Sequence, residues 1–424
     1  MKLVNFRLID GTGRFYEHAA LTINDQGRIE QLWTGNEAKM SARDALDLNG
    51  QTVLPGLFDC HVHLMSDAGP DPFAAYQTKS VFYMTILGAV NAWRMLRRGI
   101  TTIRDVGAMD FADAAIKQAI NEGIIPGPRM LSSGKLLTMT GGHGWFIGQE
   151  IDGPDEARKY ARLNLKMGAD NIKMMASGGV LTPNVNPRSP SLTVEELAAG
   201  FEEAIKAGKL TASHAQSTQG IKNAIRAGVR TIEHGVWLDE EACQMMVDRG
   251  VYLDATLAAP YFILKHAEGG KMAPYVVEKI KSMYRDHIES FKMAKRMGVK
   301  IICGTDAGTP FNIPGETVTE LEQMQQAGLT PMEAIIAATK TSAEALRLDE
   351  VTGTIEIGKM ADMIVVDGDP LSNLDVLRRP TYVFKEGRSV QLNIEEPLGV
   401  PAKVTPAQVA MTVTRFATAS GCMC

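Results

Sequence analysis

His61 and His63 lie two residues apart in Asp59-Cys60-His61-Val62-His63, directly after the apolar run Thr52-Val53-Leu54-Pro55-Gly56-Leu57. On an extended strand, residues two apart share a face, so both imidazoles can be offered to one divalent cation. Two imidazoles leave such an ion undercoordinated, and the remaining ligands must come from other strands. His214 ends Leu210-Thr211-Ala212-Ser213, His234 ends Thr231-Ile232-Glu233, and Asp306 ends Ile301-Ile302-Cys303-Gly304-Thr305. One histidine at a strand end is more often a hydrogen-bonded structural residue than a ligand. Four histidines and an aspartate, all on one rim, point instead to a metal site.

Lys173 interrupts the apolar run Ile172-Lys173-Met174-Met175. Buried, charged and unpaired, it would cost several kcal/mol. It escapes that cost by reaching the rim or a carboxylate, or by reacting as the neutral amine with carbon dioxide. The resulting carbamate is an anion whose two oxygens can bridge two metal ions.

These residues need a scaffold that brings strand ends together. From Thr52 onward, short β-branched runs alternate with amphipathic stretches such as Val194 to Ala207, Glu240 to Arg249 and Pro331 to Leu346, giving about eight βα units. The expectation is a (β/α)8 barrel over residues 55–349. Strand-and-turn segments over 1–54 and 350–400, including Gly353-Thr354-Ile355, are expected to pair into one small β-sandwich, since neither holds a core alone. Residues 401–424 read as a tail, where the Cys422-Met423-Cys424 ending is better taken as a frayed terminus than as a soft-metal hook.

The 424 residues carry a net charge of -5 with both signs spread along the chain, which lacks the basic footprint of a nucleic-acid binder. Five irregularly spaced cysteines argue against a disulfide framework and for a cytoplasmic setting. The opening residues lack the apolar core of a signal peptide, and the run from Val81 to Val90 is too short to span a bilayer. No membrane or nucleic acid is expected, and a small molecule is the default partner.

The pattern of His61, His63, Lys173, His214, His234 and Asp306 resembles the amidohydrolase superfamily over nearly the whole chain. Gly141-Gly142-His143-Gly144, Lys173 to Val180, Glu233-His234-Gly235 and Gly304 to Gly308 resemble its imidazolonepropionase-like branch. That branch contains Xaa-Pro dipeptidase and carboxypeptidase-like enzymes and amidohydrolases that cleave ochratoxin A. The resemblance implies two divalent ions, zinc by default, and a homo-oligomer, often an octamer. It assigns His61, His63 and Asp306 to one ion and His214 and His234 to the other, with carbamylated Lys173 and a hydroxide as bridges. The hydroxide would attack an amide carbonyl, and Asp306 would carry its proton to the leaving nitrogen.

His143, in a glycine-rich loop, is a candidate for contact with the substrate carbonyl or a free carboxylate. Trp237, three residues past His234, could wall the pocket. Val180 opens a proline-rich connection running to Pro190 that is expected to overhang the rim, and Arg188 within it could pair with a substrate carboxylate. That connection contains no acid, which disfavours a cationic substrate side chain. The expected reaction is cleavage of N-acyl or N-aminoacyl amino acids with neutral, aromatic or proline C-terminal residues, ochratoxin A among them. The alternatives are a lactonase, a cyclic amide or imide hydrolase, and a mononuclear deaminase or imidazolonepropionase-like enzyme. Lys173 separates the one-metal from the two-metal cases.

Overall fold

A computed structural model of the protein describes residues 1–392 except 40 and 42, so the tail with Cys422 and Cys424 lies outside the described residues. Its barrel strands are β1 (Leu57–Val62), β2 (Ile100–Asp105), β3 (Arg129–Leu131), β4 (Asn171–Met175), β5 (Leu210–Ala215), β6 (Thr231–His234), β7 (Tyr252–Asp254) and β8 (Ile301–Ile302). Neighbours are parallel, as in Met175 beside His214 and Glu233 beside Asp254. β1, β2, β4 and β5 are buried at every position. Continuous burial is what a sheet covered on both faces requires, and it explains the unbroken apolar runs.

The ring closes through backbone bonds from Cys60 N to Cys303 O at 2.8 Å and from Asp306 N to His61 O at 2.8 Å. β3 and β4 are joined by Asp170 N and Asn171 N donating to Ser132 O at 2.8 and 3.2 Å. The closure between β1 and β8 matters chemically, because it sets Asp306 against the His61–His63 pair. Helices wrap the outside, and their starts are chemically marked. Thr193 and Glu196 form a reciprocal capping box on Val194–Lys206.

Strands from both ends of the chain share one eight-stranded sheet, in which Thr52–Pro55 lies between Lys2–Ile9 and Met363–Val366. Its residues Leu3, Phe6, Leu21, Val53, Met363 and Phe384 meet in a single apolar cluster. Strands from both ends of the chain thus build one sheet with a shared apolar cluster. Thr52–Pro55 passes through Gly56 straight into β1, which anchors the His61 strand to this sheet.

Three details differ from the sequence reading. Gly353-Thr354-Ile355 is a turn, not a strand, because Gly353 has φ +95° and a Cβ there would lie 2.4 Å from the Ala343 side chain. The single helix expected from Pro331 to Leu346 contains a π turn over Ala337–Thr341. Two extra strands, Leu137–Thr138 and Gln149–Glu150, flank the His143 loop; two-residue strands carry no periodicity to read.

Candidate metal centre

The candidate ligands gather at the C-terminal ends of the barrel strands, where such barrels carry their chemistry. The His61 and His234 rings lie 5.1 Å apart, and those of His214 and His234 lie 4.6 Å apart. One ligand atom from each of His61, His234 and Asp306 falls within 4.8 Å of the others. Asp306 Oδ1 is 3.4 Å from His61 Nε2 and 3.6 Å from His63 Nε2.

Each histidine has one nitrogen committed elsewhere. His61 Nδ1 lies 2.8 Å from Glu233 Oε2, His63 Nδ1 lies 3.0 Å from Gly107 O, and His214 Nε2 lies 2.8 Å from Gly178 O. Carboxylate and carbonyl oxygens only accept, so those nitrogens carry the proton and the opposite ones keep a lone pair. His234 Nδ1 lies 2.7 Å from Thr256 Oγ1, which leaves its Nε2. This is how ligating imidazoles are held in metal sites, with the second nitrogen fixing ring and tautomer. Burial pushes the His63 and His214 pKa values down to about 4 and about 3, and His61 and His234 well below the ordinary value. Neutral imidazole is the ligating form.

Lys173 is buried on β4, and burial lowers its pKa to about 8 with Glu233 opposing. Glu233 and Arg104 were given no role by the sequence. Arg104 crosses the barrel interior and donates to Cys60 O at 2.7 Å, Thr231 Oγ1 at 2.9 Å and Glu233 Oε1 at 2.9 Å. Burial would raise the Glu233 carboxyl, but Arg104 and the His61 hydrogen bond hold it well below the usual carboxylate range. His61, Glu233 and Asp254 also place ligand atoms together, but Arg104 stands 3.6 Å from Asp254 and fills that cluster with its own charge. A cation is already present there, so the group is a support and not a second metal site.

Two further acids steady the ends of strands. Asp59 accepts from Thr305 N at 3.0 Å and Thr305 Oγ1 at 2.8 Å, tying β1 to the residue before Asp306. Asp105 accepts from Leu64 N at 2.9 Å and Gly107 N at 3.1 Å, which fixes the Gly107 carbonyl that His63 uses. His234 (φ +73°), Thr256 (φ +54°) and Asp306 (φ +57°) all have left-handed backbones. Strain of this kind is tolerated where the surroundings over-determine it, as they do at this rim. Burial pushes the Asp306 carboxyl up to about 7, with Lys173 opposing.

His143 joins the cluster, with its ring 4.6 Å from that of His214. Its Nδ1 lies 2.8 Å from Thr182 Oγ1, whose hydroxyl accepts from Gly144 N at 3.1 Å and keeps its own proton to donate to that nitrogen, so that Nε2 carries the ring proton. A Cβ on Gly179 would sit 2.3 Å from the His143 ring, so the Gly178-Gly179 pair is where the loop passes under that imidazole. Helix Pro274–Arg296 holds the loop from outside. Tyr275 OH donates to Leu181 O at 2.9 Å, and Lys279 Nζ donates to Gly179 O, Val180 O and Thr182 O at 3.2, 3.3 and 3.0 Å.

Two chambers open from the cluster and share His143, Leu181, His214, His234, Asp306 and Thr309. The first is walled by Pro72, Tyr76, Leu136, Phe146, Ile147 and Met175. Val180 lines the second. Arg188 and Trp237 line neither; they border a separate groove. Arg188 is 59% exposed, donates to Asp286 Oδ2 at 3.1 Å and stacks 4.0 Å from the Trp237 ring centre, while Trp237 Nε1 donates to the same oxygen at 2.7 Å. Arg188 and Trp237 thus meet at Asp286 beside that groove, while Val180 and Leu181 line the second chamber.

A closed (β/α)8 barrel with histidines, a lysine and an aspartate at its strand ends defines a class of hydrolases. The Amidohydrolase family model matches residues 52–390, and the chain belongs to that family. It is similar to an ochratoxinase from Aspergillus niger, with 31% identity over 419 residues, covering 90% of this chain and 84% of the relative. A solved Xaa-Pro dipeptidase with methionine bound in its active site superposes with a TM-score of 0.85 at 33% identity, covering 92% of this chain and all (100%) of that one. An imidazolonepropionase from Legionella pneumophila is 25% identical, covering 86% of this chain and 91% of the relative. The protein is a hydrolase acting on amide bonds. Among the described residues, no helix is long and apolar enough to cross a membrane.

Proposed function

We propose that the protein hydrolyses the amide bond of N-acyl or N-aminoacyl amino acids whose C-terminal residue is neutral, aromatic or proline, in the manner of a dipeptidase or carboxypeptidase, with ochratoxin A among the candidate substrates. The observation that carries this reading is the committed second nitrogen of each of the four histidines. A structural histidine is also hydrogen-bonded when buried, but here one ligand atom from each of His61, His234 and Asp306 also falls within 4.8 Å of the others, as a metal would require. The similarity to an ochratoxinase and to a Xaa-Pro dipeptidase supports the substrate class.

The donor set fits two divalent ions, zinc by default. His61, His63 and Asp306 would hold one, His214 and His234 the other, with Lys173, carboxylated by carbon dioxide, between them. Ions bound there would supply Lewis acidity and bring the pKa of water down toward neutrality. Asp306 accepts the proton of the attacking water and delivers it to the leaving nitrogen, which departs only when protonated. His143 Nε2 donates to the carbonyl oxygen or to a free carboxylate, and Thr182 on its Nδ1 sets the ring angle. The chamber walls around these groups are largely apolar.

The buried free cysteines Cys60, Cys243 and Cys303 support a reducing, cytoplasmic setting. Phe82, Tyr83 and Ile86, exposed on helix Val81–Arg97, support a homo-oligomer, up to the octamer that the resemblance implies. The experiment that tests the function combines elemental analysis of the purified protein with a screen of dipeptides, N-acyl amino acids and ochratoxin A. Two metals per chain and amide cleavage are expected. A single metal with unmodified Lys173, or opening of lactones and cyclic imides alone, would sink the reading.

A further inference from the structure

Behind His234 stands Thr256, just past the end of β7, with its Oγ1 2.7 Å from His234 Nδ1. Thr256 is fully buried and has a left-handed backbone, φ +54°. That conformation is strained for a β-branched residue and persists only where neighbours impose it. The next two amides are taken up by one carboxylate. Leu257 N donates to Glu320 Oε1 at 2.9 Å, and Ala258 N donates to Glu320 Oε2 at 2.6 Å. Glu320 is fully buried and lines neither chamber. Its helix, Thr317–Gln326, is itself fixed twice over. Thr317 Oγ1 donates to Asp59 Oδ2 at 2.8 Å, and Arg378 donates to Glu316 Oε2, Thr319 Oγ1 and Glu322 Oε2 at 2.9, 3.2 and 2.6 Å. The first amides of helix Ala258–Lys265 need acceptors, which a neighbouring Ser, Thr, Asp or Asn supplies at most helix starts. Here Leu257 offers none, and the acceptor comes from 62 residues further on, aimed at the two residues that follow the one holding His234.

We propose that Glu320 is a positioning residue of the metal centre: it binds the amides of Leu257 and Ala258, so holds Thr256 in its strained backbone, and Thr256 Oγ1 thereby sets the angle of the His234 ring. The inference rests on the reading of His234 as a metal ligand and adds to it a residue that touches neither metal nor substrate. Glu320→Gln keeps the size of the side chain and turns one acceptor oxygen into an N–H donor facing an amide N–H. One of the two bonds is lost and its place becomes repulsive. The Thr256 backbone is then free to relax, and its hydroxyl leaves the ring.

The test is a double-mutant cycle on zinc affinity, in which Thr256→Val removes the hydroxyl and keeps the β-branched shape. Full-length protein is titrated against a chelator of known affinity. Glu320→Gln and Thr256→Val should each weaken one of two zinc ions by about tenfold and leave the other within about twofold. The double variant should bind no more weakly than Thr256→Val alone, because Glu320 acts through that hydroxyl. A mere helix cap would lower Tm and leave both affinities unchanged, and a general loosening would weaken both ions. Either result would overturn the proposal, as would a double variant about a hundredfold weaker than wild type, the outcome for independent effects. If Glu320→Gln does not fold, Glu320→Asp, which keeps the charge and retracts the acceptors by one methylene, takes its place. If the wild-type protein binds fewer than two zinc ions, the two-metal reading fails on its own account and the ring itself decides the role of Glu320. In protein labelled with 15N-histidine, the His234 Nδ1 resonance should then move in Glu320→Gln in the same direction as in Thr256→Val. A resonance unmoved in Glu320→Gln would overturn the proposal.

Discussion

Glu233 Oε2 lies 2.8 Å from His61 Nδ1, and the carboxylate takes the Arg104 guanidinium through both of its oxygens, Oε1 at 2.9 Å and Oε2 at 3.1 Å. The relationship runs from a barrel-filling arginine through an acid to a candidate ligand. It fixes the tautomer of His61 without touching substrate.

Replacing Glu233 by Gln keeps the shape and removes the charge. Arg104 is then buried with one fewer counter-ion, and His61 loses its ionised acceptor. Metal affinity should fall about 10- to 100-fold, as for other supports of ligating histidines. Titration against a chelator of known affinity measures it; affinity equal to wild type would show that Glu233 serves only the fold.

The depressed pKa of Lys173 would favour the proposed reaction of its amine with carbon dioxide. Its pKa of about 8 lies below the ordinary 10.5, so the neutral amine is about half populated at pH 8 and about 1% at pH 6. Reconstitution of metal-free protein with metal and bicarbonate should therefore be faster at pH 8 than at pH 6, by up to about fiftyfold in the initial rate. Lys173→Ala should abolish turnover, with partial rescue by small carboxylates. Rates independent of pH and bicarbonate would argue for an unmodified lysine.

The same depressed pKa has a stability consequence in the metal-free protein. Folded and unfolded states both hold the proton below pH 8, and between about 8 and 10.5 the folded state releases it first. This group's contribution to stability therefore rises with pH across that window, by about 3 kcal/mol as an upper bound. Urea midpoints of Lys173→Met and wild type, measured at pH 7 and pH 10, should converge at the higher pH.

Asp306→Asn should lower kcat by about 10²- to 10⁴-fold, the range for loss of a positioned acid-base group. The histidines remain, so part of the metal should stay bound. Elemental analysis beside kcat separates the two effects.

Lys279 secures three carbonyls of one loop, at Gly179, Val180 and Thr182, and Thr182 orients His143. Lys279→Met should reduce kcat/KM by about tenfold with a stability change near 1 kcal/mol, and Lys279→Arg should restore most of the activity. Arg188→Ala, by contrast, removes an exposed pairing outside both chambers and should change kcat/KM by less than about threefold. A large effect at Arg188 would return it to the substrate site.

The positions of His61, His63, Lys173, His214, His234 and Asp306 were legible in the chain because strand periodicity is local. A β-branched run names its own end, and a residue type that is costly to bury announces itself inside it. The alternation of such runs with amphipathic stretches likewise settled the barrel before any contact was known. Arg104 and Glu233 could not be read this way. They are 129 residues apart, and either alone looks like an ordinary charged residue in a strand. Arg188 shows the converse: its chemistry suited a carboxylate, but the fold brought Asp286 to it across 98 residues. Local sequence determines which side chains reach the rim, because backbone geometry repeats every two residues. Which of them meet, and which are already satisfied, depend on packing between distant segments, and only the closed barrel decides that.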